Sequence, residues 1–305
     1  MNRPLQYAIL LTVSGLSLAS CSDTREPTAP SSGDQPVTAG LALAAGHWTE
    51  KAAMPTGRTA LAAAVASDSR GRSLLFAIGG DDGNGVTLSK VEAYNFAGNG
   101  WSTKAPLPAN LEETDGAAVI GNRIYVSGGR DLDNSSPGSD DGAPRASLYV
   151  YDPVANSWTT LTRCPNPHFR GAAAVIDGKL YVAGGEHFTS SGPFAIKRLH
   201  VYDPGTDTWT QMASLPRGVS STAGARLLGQ FYVLGGTSND HGRDFVQAYD
   251  PASNTWVMKA PLPTFRTGLA AAGFASPDDG RRIVAVGGFG GEGDRFLRSN
   301  DVFTP

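Results

Sequence analysis

Basic, acidic and imidazole side chains recur beside turn-rich segments of the chain, where they could bind a ligand or transfer protons. Arginine and histidine next to a narrow opening bind carboxylates or the hydroxyl groups of sugars. A carboxylate near an imidazole, such as Glu112 near His168, can provide a general acid and a general base. An arginine can instead pair with a neighbouring acid or bind loop carbonyls, which is the alternative for Arg58 and Arg266. The candidate ligand-binding residues are Arg58, Glu112, Arg130, His168, Arg170, Glu186, His187 and Arg266.

One loop is acidic and could bind a cation. It contains Asp131, Asp133, Asp140 and Asp141, and calcium prefers oxygen ligands of this kind. The spacing does not match an EF-hand loop, and the nearby glycine and serine residues are typical of a solvated loop. The sequence therefore predicts neither a metal site nor a cofactor.

The composition limits the classes of protein to which these residues can belong. The chain has 305 residues, of which 38 are glycine and 20 are proline, and only 17% are charged, too few for the exposed faces of long helices. A net charge of −3 argues against a general nucleic-acid binder, because such proteins displace phosphate counterions with a basic surface. Two cysteines cannot form a disulfide framework. These features predict many short strands joined by turns.

Four sequence features repeat in register through most of the chain. An apolar strand ends in a Gly-Gly pair five times, and the first glycines are 49 to 56 residues apart. Five tryptophans share this spacing, and each is followed six residues later by an apolar residue and then a proline. A tyrosine precedes four of the tryptophans by seven residues. The pairs begin at Gly79, Gly128, Gly184, Gly235 and Gly287, and the tryptophans are Trp48, Trp101, Trp158, Trp209 and Trp256.

The shared register of these features resembles the kelch repeat, a unit of about 50 residues that forms one blade of a β-propeller. The resemblance covers residues 47–305 and implies an all-β propeller of five four-stranded blades, with six blades as the alternative. The chain ends on a strand that carries Val302, and the repeat region begins with an unpaired strand at Trp48. We expect these two strands to pair and complete the fifth blade, because unpaired sheet edges promote aggregation.

The implied strand order places the candidate residues on one face of the ring. If the strands of a blade are named a to d from the axis outwards, the b–c loops and the d–a loops lie on the same face. The b–c loops are long and variable, whereas the c–d turns on the opposite face are short. We therefore expect a ligand on the b–c/d–a face, at the mouth of the axial channel. We call this surface the mouth face.

A cysteine close to a histidine suggests nucleophilic catalysis, and Cys164 lies four residues before His168. The repeat offers a simpler interpretation, because Cys164 occupies the position that Leu107, Leu215 and Leu262 fill in other repeats. We interpret Cys164 as a core residue and assign no catalytic group.

The first 21 residues are typical of a bacterial export signal. An apolar stretch over residues 8–19 runs into Leu18-Ala19-Ser20-Cys21, which resembles the lipobox of bacterial lipoproteins. The resemblance implies acylation of Cys21, which becomes the mature N-terminus and inserts into membrane lipid. Ser22 follows where an aspartate marks inner-membrane retention in many Gram-negative bacteria, so the resemblance favours the outer membrane or the cell surface. Residues 22–46 are predicted to form a disordered linker.

Three hypotheses for function follow. The first is a monomeric, membrane-anchored binding module of the bacterial cell envelope that holds a glycan or a protein on its mouth face. The second is a sugar epimerase or mutarotase, which a resemblance to exported kelch sialic-acid epimerases implies. The third is an architectural subunit of an envelope complex. The lipid anchor, the flexible linker, the long loops on one face and the lack of a catalytic constellation favour the first.

Overall fold

The structure, a computed structural model, describes residues 49–131, 143–189, 192–238, 241–276, 280–291 and 295–305. All regular structure in this part of the chain is β-strand. No helix long and apolar enough to cross a membrane occurs among the described residues. The predicted all-β fold is confirmed.

Some predictions fall on residues that the structure does not describe. The export signal, Cys21 and the linker lie in residues 1–48, outside the described residues. Trp48 lies in the same range. The acidic loop also lies outside them, apart from Asp131.

Four antiparallel four-stranded sheets follow one another along the chain, each with the strand order a-b-c-d that the repeats predict. We call these sheets blades one to four. Their strands are β1 (Ala62–Ser67), β2 (Ser73–Ile78), β3 (Val91–Asn95) and β4 (Gly100–Lys104); β5 (Ala117–Ile120), β6 (Arg123–Ser127), β7 (Leu148–Asp152) and β8 (Ser157–Thr160); β9 (Ala172–Ile176), β10 (Lys179–Ala183), β13 (Leu199–Asp203) and β14 (Thr208–Gln211); β15 (Ala223–Leu227), β16 (Gln230–Leu234), β19 (Val246–Asp250) and β20 (Thr255–Met258).

The fifth sheet, blade five, has three strands among the described residues. They are β22 (Ala270–Ser276), β23 (Gly280–Val286) and β26 (Asn300–Phe303). The fourth strand was predicted around Trp48, outside the described residues, and the described residues 49–58 form no strand. The number of blades and the closure of the ring by the N-terminal strand stay predictions.

Short strands in the loops form additional pairs on the mouth face. One hairpin follows the glycine pair of blade three and another follows that of blade four. A three-stranded unit lies at blade five. These strands are β11 (Glu186–Thr189) with β12 (Gly192–Ala195), β17 (Thr237–Ser238) with β18 (His241–Gly242), and β21 (Arg266–Thr267) with β24 (Phe289–Gly290) and β25 (Arg295–Phe296).

The glycine pairs end each strand b in a conformation that other residues rarely adopt. Gly79 and Gly80 have φ angles of 63° and 95°, and the four other pairs have nearly the same values. A Cβ atom on Gly79 would collide with the carbonyl oxygen of Leu111, which belongs to the next blade. The glycines are therefore required where neighbouring blades approach each other most closely.

Each c–d turn holds the segment that arrives from the preceding blade. In blade two, the hydroxyl of Tyr151 donates to Oδ1 of Asn156 at 2.6 Å, and the amide of Ala105 donates to the same oxygen at 3.0 Å. Trp158 donates through Nε1 to the carbonyl oxygen of Ala105 at 2.9 Å. In blade one, Asn99 and Trp101 hold Ala52 in the same way. Ala52 thus takes the place that the residue after strand d takes in the other repeats.

Successive blades pack through apolar clusters and through backbone hydrogen bonds. One cluster lies at each junction from blade one to blade five, four in total. At each of these junctions the second glycine of the pair donates its amide proton to a carbonyl of the next blade. The four bonds are Gly80 to Leu111, Gly129 to His168, Gly185 to Val219 and Gly236 to Arg266, at 2.8–3.1 Å.

The junction between blade five and blade one differs from the other four. Among the described residues no apolar cluster joins these blades, and no hydrogen bond links Gly288 to Arg58. Val286 is 38% exposed, whereas the four residues at its position in the other blades are at most 2% exposed. Val302 is 51% exposed, against at most 7% at the equivalent positions. The face of blade five that points towards the next blade is therefore open in the described part of the chain.

Candidate functional site

The mouth is built from three sets of equivalent residues, one residue per blade. In every blade a residue of the d–a loop, three positions before strand a or five in blade two, pairs with the residue that follows the glycine pair. The d–a and b–c loops therefore meet as predicted. The first set, in the d–a loops, is Thr59, Glu112, Phe169, Ser220 and Thr267; the next residue in each loop gives the second set, Ala60, Glu113, Arg170, Ser221 and Gly268; the third set, after the glycine pairs, is Asp81, Arg130, Glu186, Thr237 and Phe289.

A line of backbone hydrogen bonds runs around the mouth through the second set. All five of these residues have φ angles between 50° and 60°, the left-handed region. Four of the five amides donate to the carbonyl of the preceding blade's residue: Glu113 to Ala60, Arg170 to Glu113, Ser221 to Arg170 and Gly268 to Ser221, at 2.8–3.0 Å. Among the described residues no fifth bond joins Ala60 to Gly268.

Charged side chains meet at the junction of blades two and three. Nε of Arg130 lies 2.6 Å from Oε2 of Glu113 and 3.3 Å from Oε1 of Glu112. Nη2 of Arg170 lies 2.6 Å from Oε1 of Glu113, and Nη1 lies 3.6 Å from Oε2 of Glu186. Four predicted site residues, Glu112, Arg130, Arg170 and Glu186, are thus brought together. We call these four and Glu113 the charged cluster.

An aromatic side chain supports the two guanidinium groups from below. Phe169 is fully buried, and its ring centroid lies 4.9 Å from the guanidinium carbon of Arg130 and 5.1 Å from that of Arg170. Phe188 stacks on Phe169 with 5.5 Å between ring centroids. The contacts of Arg130 and Arg170 with the Phe169 ring are cation–π interactions. They hold the two guanidinium groups in place and leave the N–H donors directed at carboxylates.

Glu112 is the acid of the cluster whose ionisation is most disfavoured. Burial and, after it, the charges of Glu113 and Asp81 raise the pKa of Glu112 to about 7, against the opposing charges of Arg130 and Arg170. Its atom Oε1 has no hydrogen-bond partner among the described residues. A carboxyl group with a pKa near neutrality can take up or release a proton at physiological pH.

His168 lies beneath the mouth and not on its rim. It is 2% exposed, with Nε2 lying 2.8 Å from Oδ2 of Asp115 and Nδ1 lying 2.7 Å from the carbonyl oxygen of Asn166. Burial lowers the pKa of His168, but the charge of Asp115 outweighs it, so the pKa lies well above its usual value. Asp115 also accepts from the hydroxyl of Ser127. His168 is therefore a charged structural group that links blade three to blade two.

Cys164 packs in the core, as its position in the repeat predicts, and is 3% exposed. Burial raises the pKa of its thiol, but hydrogen bonds with His168 and His200 outweigh burial and lower it to about 6. Sequence reasoning missed His200 as a neighbour of this thiol, because it lies on another strand. Within the described part of the chain, no three His, Cys, Asp or Glu side chains are arranged to hold a metal ion.

Arg58 and Arg266 are buried in equivalent internal ion pairs. Nη2 of Arg58 lies 2.7 Å from Oε2 of Glu92, and Nη1 donates to the carbonyl oxygens of Gly79 and Lys90 at 2.9 Å. Arg266 pairs with Asp301 in the same manner and has no exposed surface. Both arginines therefore pair with an acid, which was the alternative interpretation of the sequence. Their predicted placement on a ligand-binding rim is corrected. The reason is that a carboxylate lies at the second position of strand c in both blades.

His187 lies on the β11–β12 hairpin, away from the charged cluster's ion pairs. Its ring packs edge-to-face with Phe194 at 6.2 Å between centroids. Phe188 and Phe194 on the same hairpin are 38% and 41% exposed. Sequence reasoning missed these aromatics and also Glu113 and Phe169. Comparing equivalent loop positions could have found Glu113, because Ala60, Ser221 and Gly268 are small or uncharged where it is acidic.

Comparison with known proteins agrees with this architecture. A family model described as the KLHDC2/KLHL20/DRC7 Kelch-repeats domain matches residues 43–214. Kelch-like protein 25 of Rattus norvegicus is 34% identical over 140 residues, which are 44% of this chain and 22% of that protein. Kelch-like protein terF of Aspergillus terreus is 28% identical over 230 residues, which are 72% of this chain and 48% of that protein. The matched regions thus span about a fifth to a half of these relatives.

The fold also has a counterpart among solved structures. The structure of YjhT superposes with a TM-score of 0.70 over 87% of this chain and 86% of that chain, at 16% sequence identity. An identity this low supports the fold alone. The β-propeller architecture, the repeated glycine pairs and the family match over more than half of the chain lead to one conclusion: the chain belongs to the kelch-repeat family.

Proposed function

We propose that this chain is a lipid-anchored module of the bacterial cell envelope that binds a protein partner on its mouth face. The observation that carries this proposal is the β11–β12 hairpin, which presents the exposed rings of Phe188 and Phe194 beside the charged cluster. Protein interfaces are enriched in aromatic side chains and arginine, and a few such residues supply most of the binding energy. A protein is therefore favoured over a glycan.

The surrounding framework favours a preformed binding surface. Arg130 and Arg170 are each held by carboxylates and by the ring of Phe169, and their side chains keep 14% and 20% exposure. The backbone hydrogen bonds of the mouth hold the loops that carry these residues. A surface held in this way loses little conformational entropy when a partner binds.

A cross-linking experiment tests the choice of face. A photoreactive amino acid replaces Phe194 on the mouth face or Val154 in a c–d turn on the opposite face, and both positions are apolar and exposed. The full-length chain, produced in its bacterial host, should cross-link to one discrete protein from position 194 and not from position 154. Cross-links from Val154 alone, or equal cross-linking from both positions, would contradict the proposal.

The membrane anchor has its own test. Acylation at Cys21 would tether the propeller by residues 22–46, which as a flexible chain reach roughly 25–30 Å. The full-length protein should incorporate labelled palmitate and sediment with membranes. Cys21→Ala should lose the label and leave the membrane fraction, whereas Ser22→Ala, a control at the next position, should retain both. Membrane association of unlabelled Cys21→Ala would refute the anchor.

A second function, sugar epimerisation or mutarotation, is favoured by one observation. The pKa of Glu112 is raised to about 7, which suits a general acid or base. His168, its predicted partner in catalysis, is buried in its pair with Asp115 and does not face the mouth surface. Exchange of solvent deuterium into a C–H bond of reducing sugars tests epimerisation, and the rate of anomer interconversion tests mutarotation. An activity of either kind that Glu112→Gln abolishes would favour the enzyme over the binding module.

A further inference from the structure

The ion pairs of the charged cluster satisfy only some of its acids. Glu113 lies within 2.6 Å of both guanidinium groups. Glu186 lies 3.6 Å from Arg170 and also accepts a hydrogen bond from the hydroxyl of Ser220 at 2.9 Å. Both positive charges of the cluster are therefore engaged by two acids on blades two and three.

Two further carboxylates at the mouth are held less completely. Asp81 is 9% exposed; its Oδ1 accepts from the amide of Gly83, but its Oδ2 has no hydrogen-bond partner among the described residues. Glu112 is 3% exposed, and its Oε1 lies 3.3 Å from Nε of Arg130 in an ion pair that lacks the geometry of a hydrogen bond. An acceptor that is buried and unpaired costs free energy, so it marks a place where a ligand donor fits.

The two carboxylates act on one another. They directly follow Gly80 and Leu111, whose backbones are joined across adjacent blades by a hydrogen bond of 2.8 Å. The charge of Asp81 is also one of the causes that raise the pKa of Glu112, after burial and Glu113. The mouth of blades one to three thus holds four acids against two arginines. This excess negative charge selects a positively charged ligand and repels an anionic one.

We propose that Asp81 and Glu112 together bind a cationic side chain, the ammonium of a lysine or the guanidinium of an arginine, on the partner protein. This inference rests on the proposed function and names the chemistry by which the mouth recognises its partner. An ammonium has three donors and no acceptor, so it can donate to the carboxylates of Asp81 and Glu112 at once. The exposed rings of the β11–β12 hairpin then contact the apolar part of the partner.

The test uses the full-length chain in detergent micelles and a fluorescent hexalysine peptide as the probe, at low ionic strength. Asp81→Asn and Glu112→Gln should each weaken binding at pH 8 by at least about tenfold, because each removes one charge-assisted contact. Asp82→Asn is the matched control, since it removes the same charge from the neighbouring, half-buried position. This variant should change the affinity less than about twofold, because salt screens the interaction between the probe and a charge that it does not contact.

A second measurement separates recognition from folding. Both carboxamide variants should melt at or above the wild-type temperature, because each replaces a buried acid by a neutral side chain of the same shape. Binding by the wild type should strengthen about tenfold from pH 6 to pH 8, as Glu112 ionises, and binding by Glu112→Gln should not. Acetylation of the lysines in the probe should abolish binding.

Several results would overturn the inference. Equal losses of affinity in Asp81→Asn and Asp82→Asn would show that only net charge matters, and no loss in Asp81→Asn would show that Asp81 does not bind the cation. Equal binding of the acetylated peptide would show that the cation is not recognised. Calcium or magnesium binding that depends on Asp81 and Glu112, without peptide binding, would assign the site to a metal ion instead. If position 194 cross-links to a protein while the peptide fails, the proposed function survives and this inference does not.

Discussion

The junction of blades two and three and the junction of blades five and one are built from equivalent positions, but they differ in almost every contact. At the first, Arg170 donates a backbone hydrogen bond to Glu113, and their side chains form an ion pair above an apolar cluster. At the second, Ala60 and Gly268 occupy the same positions, and neither a backbone bond nor an apolar cluster joins the blades among the described residues.

This difference distinguishes the backbone features that all five repeats share from the side chains that vary between repeats. The left-handed residue in each d–a loop and the glycine pair in each strand b occur in all five blades, so they belong to the framework. The side chains on that framework vary, and the charged cluster lies at the junction of blades two and three. The charged cluster therefore lies at a junction that backbone hydrogen bonds and an apolar cluster close, unlike the open face of blade five.

The largest expected effect concerns the buried ion pair at the junction of blades two and three. Asp115→Asn should lower the free energy of unfolding by about 3–5 kcal/mol at pH 6, because it leaves the imidazolium of His168 without its counter-charge. Urea denaturation measures this loss. The equivalent residue of blade four is the hydroxyl-bearing Thr222, and Thr222→Ala is the control, with an expected loss of about 1 kcal/mol.

The same pair predicts a dependence of stability on pH. The pKa of His168 is raised in the folded state, so the pair stabilises the fold fully below the ordinary histidine pKa of about 6.5. This contribution is lost as the pH rises through the raised pKa of the folded state. The wild type should therefore lose stability on the alkaline side, and Asp115→Asn should lose less. An equal loss in both proteins would contradict the role of this pair.

A leucine at the same position of strand b compares the two junctions directly. Leu180→Ala should destabilise the protein by about 2–5 kcal/mol, because Leu180 is 1% exposed in the cluster between blades two and three. Leu75→Ala should cost less than half as much, because Leu75 is half-buried on the face of blade one that points to blade five. Equal losses in urea denaturation would show that the junction of blades five and one is closed.

Valines at one position of strand c give the smallest effect. Val201→Ala should cost about 1.5 kcal/mol, since it removes two methyl-sized groups from a site that is 7% exposed. Val302→Ala should change the stability by less than about 0.5 kcal/mol, because Val302 is 51% exposed. Neither change should alter binding of the lysine probe, which the same samples can report.

The sequence predicted those features that depend on contacts within one repeat. The glycine pairs, the strand order, the shared face of the b–c and d–a loops and the burial of Cys164 all follow from the period of the motif. It did not predict contacts between repeats, because the distance from Glu113 to Arg170 depends on how two blades are oriented. Arg58 and Arg266 were misplaced on the rim for the related reason that their partners lie on strand c, more than 30 residues away.

The prediction of ring closure shows a different limit. The pairing of Trp48 with the strand of Val302 was argued from unpaired ends, and Trp48 lies outside the described residues. The hydrogen bonds that join Ala52 to Asn99 and Trp101 of blade one agree with the repeat register of the segment that contains Ala52. Register along the chain does not determine whether the face of blade five meets blade one, because that contact depends on the rotation between successive blades.

The most direct test of the account is the titration of Glu112, followed by NMR in protein labelled with ¹³C at the glutamate carboxyl groups and assigned with Glu112→Gln. The account predicts a pKa of about 7 in the free protein and a clear decrease when the hexalysine peptide is added, since a bound cation favours the ionised carboxylate. A pKa near the ordinary value of about 4.3 that the peptide leaves unchanged would contradict it.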